Sequence, residues 1–532
     1  MSPRRIFLLL ALLLLPSTGA MAFYWSTPGT VGVFGVMVAL FALGLYDMVQ
    51  TKQAIRRNFP VAGRLRYLFE AVRPELQQYF VESNSSGRPF SREQRSVVYQ
   101  RAKNVTDTIP FGTERDVYSE GYEWISHSLQ ALHPPDEPPR IVIGGPDCKQ
   151  PYAAALLNVS AMSYGSLSPN AVLALNEGAK RGGFYHNTGE GGLSPYHLQP
   201  GGDICWQIGT GYFGCRDANG KFDPVRFAEK AATKQVKLIE IKLSQGAKPG
   251  HGGILPARKV TLEIAQIRDV PMGKDVISPP THSAFSTPIE LCQFIGRLRE
   301  LSGGKPIGFK LCIGKRREFF AIVKAMLETK ILPDFITVDG GEGGTGAAPL
   351  EFSNSVGMPL TDGLVLVHNA LIGAGLRERI KIIASGRVIT GFEIAHKLAI
   401  GADLCNSARA MMFALGCIQA LRCNTNSCPT GVATQDRELY RGLDVGDKAT
   451  RVYQFQHNTV RAFQELLAAA GLQQPSDLRP WHIFRRISQT EVKHYGAIYD
   501  YLDPGALLAE HVPKPYARAW GAASAESFTA GA

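Results

Sequence analysis

The stretch LIEIKLSQGAKPGHGG, residues 238–253, runs from apolar residues directly into a cluster of charged residues and glycines. A short apolar run that ends in this way is typical of a buried strand in a parallel sheet. Helical stretches separate seven other runs of the same kind: LLNVSAMS (156–163), FYHNTGE (184–190), DVISPP (275–280), PIGFKLC (306–312), DFITVDG (334–340), IKIIASG (380–386) and ADLCNSA (402–408). Eight strands that alternate with helices over about 250 residues predict an α/β fold, the (β/α)8 TIM barrel. A doubly wound sheet is the alternative, but its G-x-G-x-x-G turn is absent after the first run.

The regions around the predicted barrel divide at changes in composition. The proline-rich segment HPPDEPPR (133–140) is typical of a joint between domains. We expect four parts: a membrane anchor at 1–48, a helical juxtamembrane collar at 49–139, the barrel at 140–440 and a helical extension at 441–532. Within the collar, the segment RLRYLFEAVRPELQQYF (64–80) has helical apolar spacing and basic edges, which favours a helix lying near lipid headgroups.

Basic residues are concentrated near the N-terminus, and the whole chain carries a net charge of +11. No DNA- or RNA-binding motif accompanies this charge, so the sequence predicts no nucleic-acid partner. Two apolar stretches, 6–25 and 30–46, are about as long as a helix that crosses a bilayer. Basic residues precede the first stretch and follow the second: Arg4, Arg5, Lys52, Arg56, Arg57, Arg64 and Arg66.

This distribution of charge predicts a two-helix hairpin with both ends in the cytoplasm. The alternative is that the first stretch is a signal peptide with a cleavage site at Ala20-Met21-Ala22. Under either interpretation we expect the barrel on the cytoplasmic face of the inner cell membrane, with the lipid bilayer as a partner.

Three of the nine cysteines, Cys417, Cys423 and Cys428, lie within twelve positions. An odd number of cysteines cannot pair completely as disulfides, and zinc usually takes a fourth ligand and closer paired spacing. Three neighbouring thiolates in a reduced compartment suit an iron–sulfur cluster with three protein ligands. The alternative is that these are three buried structural cysteines, because free cysteine is often buried.

Functional residues of a barrel gather at the C-terminal ends of its strands, and here those ends are rich in glycine and charge. The last two runs end in Ser385-Gly386-Arg387 and Ser407-Ala408-Arg409. These are the positions at which phosphate-binding barrels hold a phosphate, through backbone N–H groups and a basic side chain. Each glycine taken alone is explained equally well by a tight turn.

Five motifs then match one family in unbroken order over about residues 140–440: AMSYGS (161–166), HNTGEGG (186–192), IKLSQGAKPGHGG (241–253), DGGEGGTGAAP (339–349) and GCIQALRCNTNSCPTGVATQ (416–435). They closely resemble the FMN-binding synthase domain of glutamate synthase, and the chain looks most like membrane-anchored members that carry only this domain. The resemblance implies an FMN beside a [3Fe–4S] cluster with Cys417, Cys423 and Cys428 as ligands. It also implies FMN-binding positions at Ser163, Lys310, Gly343, Gly344, Thr345, Gly386, Arg387, Ser407 and Arg409.

The family chemistry is the reduction of 2-iminoglutarate, formed from 2-oxoglutarate and ammonia, to L-glutamate. A dicarboxylate needs cations, and Lys242, Gln245 and Lys248 lie on or just after one strand. Gln245 and Lys248 match substrate positions of the family, and Glu190 matches a glutamate that handles ammonia or a proton. Lys242 can equally form an ion pair inside the barrel. We expect Lys310 to face the flavin ring, because a buried lysine without a partner is costly.

Two departures from the family pattern bear on substrate and amine source. His251 replaces an acidic residue common in the full-length enzymes, and membrane spans stand where those enzymes begin with a glutaminase domain. We therefore expect ammonia or an amine to come from outside this chain. We expect a one-electron donor such as ferredoxin or a membrane redox protein. Alternative functions are an FMN hydroxy-acid oxidase, which the cysteine trio disfavours, and a membrane-tethered electron-transfer or amine-transfer subunit resembling N-methylglutamate synthase.

Overall fold

The computed structural model describes residues 2–105 and 108–530 and divides into two compact units, Met1–Glu93 and Gln94–Ala532. The first unit begins with helices α1 (Pro3–Trp25) and α2 (Pro28–Val49), which pack against each other with the rings of Phe7 and Phe41 stacked. Thr27 and Thr30 cap the start of α2 reciprocally. Both helices are apolar and long enough to cross a bilayer, although a signal sequence has the same properties. Helices α3 (Ala54–Asn58) and α4 (Gly63–Leu76) follow, and a π-helical turn extends α4 over Gln77–Val81.

The second unit is built on eight parallel strands that close into a barrel. In order around the barrel, the strands are β4 (Leu157–Val159), β5 (His186–Asn187), β6 (Ile204–Ile208), β7 (Val236–Lys242), β10 (Ile307–Leu311), β11 (Phe335–Asp339), β12 (Lys381–Ser385) and β13 (Leu404–Ser407). Strand β13 pairs with β4 and closes the sheet. The predicted (β/α)8 barrel is therefore confirmed.

Seven of the eight predicted runs are barrel strands, and the run DVISPP is not. Its strand β9 (Val276–Ile277) forms an antiparallel pair with β8 (Ile254–Leu255) outside the barrel. Two prolines end this run and lack the N–H that a ladder needs, and Ile277 is exposed. The strand that the prediction missed is β6, whose five residues are all buried although Gln207 interrupts its apolar pattern.

Helices surround the barrel and pack on its outer face: α6 (Pro169–Gly182), α7 (Pro195–Leu198), α8 (Pro224–Ala231), α9 (Leu262–Arg268), α10 (Pro288–Leu301), α11 (Arg316–Thr329), α12 (Leu350–Ser355), α13 (Leu360–Gly373), α14 (Gly391–Ala399) and α15 (Arg409–Ala414). Five of these ten helices begin at a Ser, Thr or Asp whose side chain accepts from the first turn, as Ser168 does for α6. The long helix α17 (Val445–Ala469) then packs back across α6 and α14.

The collar and the extension, which were expected to be mostly helical, also contain strands. Helix α5 (Arg92–Ala102) is followed by β1 (Glu123–Ile125), which pairs with β14 (Ile483–Arg486) near the C-terminus. The remaining elements are β2 (Arg140–Ile143), β3 (Tyr152–Ala155), α16 (Arg437–Tyr440), β15 (Val492–His494), α18 (Tyr495–Ile498) and α19 (Lys514–Ala522). The residues before and after the barrel thus share one small sheet, which the sequence pattern did not predict.

Candidate active site

Lys242 and Glu190 form a buried ion pair at the C-terminal mouth of the barrel. Lys242 is the last residue of β7, and its Nζ lies 2.7 Å from Oε1 of Glu190, which follows β5. Burial alone would raise the pKa of Glu190, but the Lys242 ammonium, with Arg268 and Lys248 nearby, holds that pKa below its usual value. Glu190 is therefore ionised at neutral pH.

Lys248 joins the loop after β7 to the loop after β11. Its buried Nζ donates to the carbonyl of Ala347 over 2.7 Å. Burial, with a smaller contribution from Lys242, lowers the pKa of Lys248 to about 8. Gln245 lies half-buried in the same loop. The four predicted substrate residues, Glu190, Lys242, Gln245 and Lys248, thus lie on two loops at one end of the barrel, those after β5 and β7.

The loop after β7 approaches the loop after β11 so closely at Gly246 that no side chain fits between them. The N–H of Gly246 donates to Oδ2 of Asp339 over 2.9 Å. A Cβ at Gly246 would lie 1.7 Å from the carbonyl oxygen of Gly340. Only glycine fits this contact, which fixes the position of Lys248 relative to the glycine-rich loop.

Lys310 has a protein partner, because its Nζ lies 3.1 Å from Oδ2 of Asp339 at the end of β11. Burial would lower the pKa of Lys310, but the carboxylates of Asp339 and Glu240 raise it above its usual value. Lys310 therefore stays charged inside the barrel. Asp339 satisfies the requirement for a partner that the sequence analysis had assigned to the flavin.

Glu240 lies deeper in the barrel than the mouth residues, and its carboxylate is fully hydrogen-bonded. Oε2 accepts from Asn187 at 2.9 Å and from Gln207 at 2.6 Å, and Oε1 accepts from Thr337 at 2.6 Å. Glu240 stands two positions before Lys242 on β7, so both side chains point into the barrel. The sequence analysis missed Glu240, although this period-two spacing was the signal that pointed to it.

The ends of β12 and β13 carry two neighbouring guanidinium groups. Arg409 donates to the carbonyl of Glu342 over 2.7 Å, and burial together with the charge of Arg387 lowers the pKa of Arg409 to about 10. Arg387 follows Gly386 and has a left-handed backbone, with φ at 51°. A Cβ on Gly344 would lie 2.8 Å from Cδ of Arg409, so the glycine-rich loop packs directly on this side chain.

The other predicted cofactor residues frame the same opening. Ser407 Oγ donates to the carbonyl of Val388 over 2.7 Å, which ties β13 to the turn after β12. Ser163 is half-buried after β4, and its carbonyl accepts from Leu167 at 3.0 Å. Gly343 and Thr345 lie in the loop that packs on Arg409. Two close cations beside a glycine-rich loop fit a phosphate monoester, because an anion relieves their mutual repulsion.

The cysteine loop follows α15 and is held at its start by Tyr99, whose hydroxyl donates to the carbonyl of Cys417 over 2.7 Å. Burial raises the pKa of Cys417 to about 12. Burial would also raise the pKa of Cys428, but hydrogen bonds from Thr430 and nearby backbone groups bring it below its usual value. Three non-glycine residues of the loop have left-handed backbones: Gln419, Leu421 and Asn426.

A buried lysine, Lys259, lies beside this loop and was not predicted. Its Nζ donates to the carbonyls of Ser166 at 3.0 Å and Ala433 at 2.8 Å, and its charge acts on the thiols of Cys423 and Cys428. Within residues 2–105 and 108–530, no three His, Cys, Asp or Glu side chains are grouped to hold a metal ion. The three-ligand cluster therefore stays a prediction, which the donor chemistry of the loop fits.

Comparisons with known proteins agree with this geometry. The family profile described as a conserved region in glutamate synthase matches residues 123–473. The glutamate synthase large subunit-like protein YerD of Bacillus subtilis is 39% identical over 500 residues, covering 86% of this chain and 94% of that protein. The archaeal glutamate synthase (NADPH) of Methanocaldococcus jannaschii is 38% identical over 323 residues, 60% of each chain. The glutamate synthase (NADPH) large chain of Azospirillum brasilense is 32% identical over 369 residues, and the match spans only 22% of that protein.

Proposed function

We propose that this chain, which belongs to the glutamate synthase family and is an oxidoreductase, reduces 2-iminoglutarate to L-glutamate at the C-terminal mouth of its barrel. The imine forms from 2-oxoglutarate and ammonia supplied from outside the chain. The observation that carries the proposal is the buried Glu190–Lys242 pair with Lys248 beside it. A dicarboxylate is bound by at least two cations, and forming the imine needs a nearby carboxylate that takes a proton from the ammonium nitrogen.

In this proposal Lys242, Lys248 and Gln245 bind and orient the substrate. The two ammonium groups neutralise its carboxylates in a site with little water, where such contacts are strong. The Gln245 side chain offers both a donor and an acceptor for the imine or keto group. Glu190 acts as the base: its ionised carboxylate takes a proton from ammonium, and the free ammonia adds to the keto carbon. The keto oxygen then leaves as water, which gives the imine.

We propose FMN as the cofactor, which when bound supplies the hydride for the imine carbon. Gly386, Arg387, Ser407, Arg409 and the loop containing Gly343, Gly344 and Thr345 would hold its phosphate. Ser163 and Lys310 would contact its ring. Support comes from the two close guanidinium groups and from Lys310, whose charge, maintained by Asp339 and Glu240, favours a negatively charged reduced ring.

We also propose that Cys417, Cys423 and Cys428 hold a [3Fe–4S] cluster through which single electrons enter, from ferredoxin or from a membrane redox protein. Three thiols on one loop beside the buried Lys259 ammonium fit an anionic cluster. Leu421 of this loop is exposed, so a donor protein could bind the loop's surface close to the cysteines.

The proposed location is the inner cell membrane, with residues 1–48 as anchor and the barrel on the cytoplasmic face. Support comes from α1 and α2, which are long and largely apolar helices with almost no buried residues. Basic residues flank the open end of this hairpin, as the positive-inside rule requires of a cytoplasmic end. Residues 49–139 and 441–532 would then be the juxtamembrane collar and the C-terminal extension.

The decisive experiment is anaerobic stopped-flow reoxidation of the photoreduced protein. We expect 2-oxoglutarate with ammonium to reoxidise the flavin rapidly, and either compound alone to do so slowly. Reoxidation no faster than in buffer would refute the proposal. Methylamine in place of ammonium tests the N-methylglutamate-type alternative, since a preference for methylamine would reassign the substrate. Absence of flavin absorption, with no uptake of added FMN, would reject the cofactor.

A further inference from the structure

One face of helix α4 carries a row of large apolar side chains that are exposed in the part of the chain that the structure describes. Leu65, Leu68, Phe69, Val72 and Leu76 follow the spacing i, i+3, i+4, i+7 and i+11, so they share one stripe of the helix. Their exposed fractions lie between 38% and 61%. The following turn continues this exposed apolar surface with Phe80 at 82%. Patches of this kind mark interaction surfaces.

The first two turns of α4 contact the first unit's own helices. Tyr67 lies under the guanidinium group of Arg56 in α3, with the guanidinium carbon 4.9 Å from the ring centre. Arg64, at the start of α4, donates to both oxygens of Asp47 in α2, the shortest contact being 2.7 Å. The N–H of Val61 donates to the same carboxylate over 3.1 Å. These contacts fix α4 to the end of α2 and leave the apolar stripe facing outward.

The position of this attachment determines what the stripe faces. Asp47 lies two residues before the end of α2, and it is wholly buried by its contacts with the segment 61–64. If α2 crosses a bilayer, its last turn lies at the headgroups. A helix tied to that turn through a buried bidentate ion pair then lies at the same depth.

The charges of the first unit match an anionic lipid surface. Residues 1–81 contain eight basic residues and three acidic ones, which are Asp47, Glu70 and Glu75. The basic residues are Arg4, Arg5, Lys52, Arg56, Arg57, Arg64, Arg66 and Arg73. Arg4 donates to the carbonyl of Arg57 over 2.6 Å. This bond brings the basic residues at the start of α1 close to those that follow α2. Such clusters bind anionic headgroups.

We propose that α4 is an interfacial helix whose stripe, Leu65–Leu68–Phe69–Val72–Leu76, inserts among the lipid headgroups and upper acyl chains of an anionic bilayer. This inference rests on the proposed membrane anchoring by α1 and α2. A helix with an apolar face and basic flanks lies in the plane of the interface. The insertion adds a second contact with lipid on the cytoplasmic side of the anchor.

The test uses the full-length protein in vesicles of phosphatidylglycerol and phosphatidylcholine that carry bromines at a shallow acyl position. Phe69→Trp places a reporter on the stripe. Ala71→Trp is the matched control, because two helical positions correspond to a rotation of about 200°. Emission is compared with that of the parent protein, which has five tryptophans of its own.

We expect brominated lipid to remove about half or more of the emission that Phe69→Trp adds, and little of that added by Ala71→Trp. Aqueous iodide should quench the emission added by Ala71→Trp more strongly than that added by Phe69→Trp. Equal iodide quenching of both reporters would overturn the inference, and so would protection of the Phe69→Trp reporter from both quenchers, which indicates a protein partner. Failure of the parent protein to float with vesicles after a carbonate wash would instead refute the anchoring by α1 and α2. Flotation without lipid quenching at position 69 refutes the interfacial helix alone.

Discussion

The barrel mouth and the cysteine loop differ in how their charged groups are compensated. At the mouth each buried cation has a carboxylate or carbonyl partner: Lys242 has Glu190, Lys310 has Asp339, and Lys248 has the carbonyl of Ala347. Beside the cysteine loop, the buried Lys259 donates to two carbonyl oxygens, and its charge acts on two thiols. The mouth is thus organised by the protein's own charges, whereas the loop fits an anionic group that the thiols would bind. Substitutions in the two regions should therefore fail in different ways.

The largest effect is expected from Cys423→Ser. This change should abolish the EPR signal of the three-iron cluster and all turnover driven by the physiological one-electron donor. The barrel mouth does not depend on Cys423, so the variant should keep its flavin and still oxidise photoreduced flavin with 2-oxoglutarate and ammonium. Unchanged iron content would show that Cys423 is not a ligand, and loss of the flavin would show that the two regions are not separable.

Glu190→Gln should act on the mouth alone. The amide keeps the shape of the side chain but neither holds the Lys242 ammonium as an ion pair nor accepts a proton. We expect the rate of flavin reoxidation by 2-oxoglutarate and ammonium to fall by about 10²- to 10⁴-fold, while the cluster signal stays intact. The matched control, Glu190→Asp, should recover part of the rate. A glutamine variant with near parental rate would remove Glu190 from the reaction.

The pH dependence of turnover tests Lys248. Its pKa of about 8 means that the ammonium form is lost as the pH rises through that value. If the charge binds substrate, kcat/KM should fall by about tenfold per pH unit above pH 8. Lys248→Arg keeps its charge throughout this range, so its profile should stay flat there. An unchanged alkaline limb in the arginine variant assigns that limb to another group.

The smallest effect is expected from Lys259→Met. Removing a positive charge beside the thiols should make the cluster harder to reduce, with a midpoint potential more negative on the order of tens of millivolts. Lys259→Arg keeps the charge and should stay within a few millivolts of the parent. Redox titration followed by EPR measures both. A potential that does not move in the methionine variant would mean that Lys259 serves the packing of the loop only.

The sequence predicted the barrel because seven of its strands are short apolar runs, and hydrophobic pattern is a local signal. It failed at Ile204–Ile208, where Trp206 and Gln207 face buried surroundings that only the closed barrel creates. It also missed Glu240, Asp339 and Lys259, whose importance lies in partners far along the chain, such as Thr337 for Glu240. Ion pairs between distant strands are set by register, which no single segment reveals.

In the cysteine loop, too, the sequence predicted only part of the site. The spacing of three cysteines is visible in the sequence, and it led to the prediction of a cluster. The left-handed backbones of Gln419, Leu421 and Asn426, and the lysine from a segment more than 150 residues earlier, are visible only in three dimensions. Side-chain identity predicts which atoms bind, and the fold decides which charges surround them.

The Glu190–Lys242 contact also couples two events that kinetics usually treats as separate. The Lys242 ammonium is the nearest positive charge to the Glu190 carboxylate, 2.7 Å away, and it keeps that carboxylate from binding a proton. A dianionic ligand that takes over Lys242 withdraws this charge and adds its own negative charges. Ligand docking is thereby linked to proton uptake from the medium. The enthalpy of 2-oxoglutarate binding should then vary with the ionisation enthalpy of the buffer. The slope of one plotted against the other gives the number of protons taken up when the ligand binds.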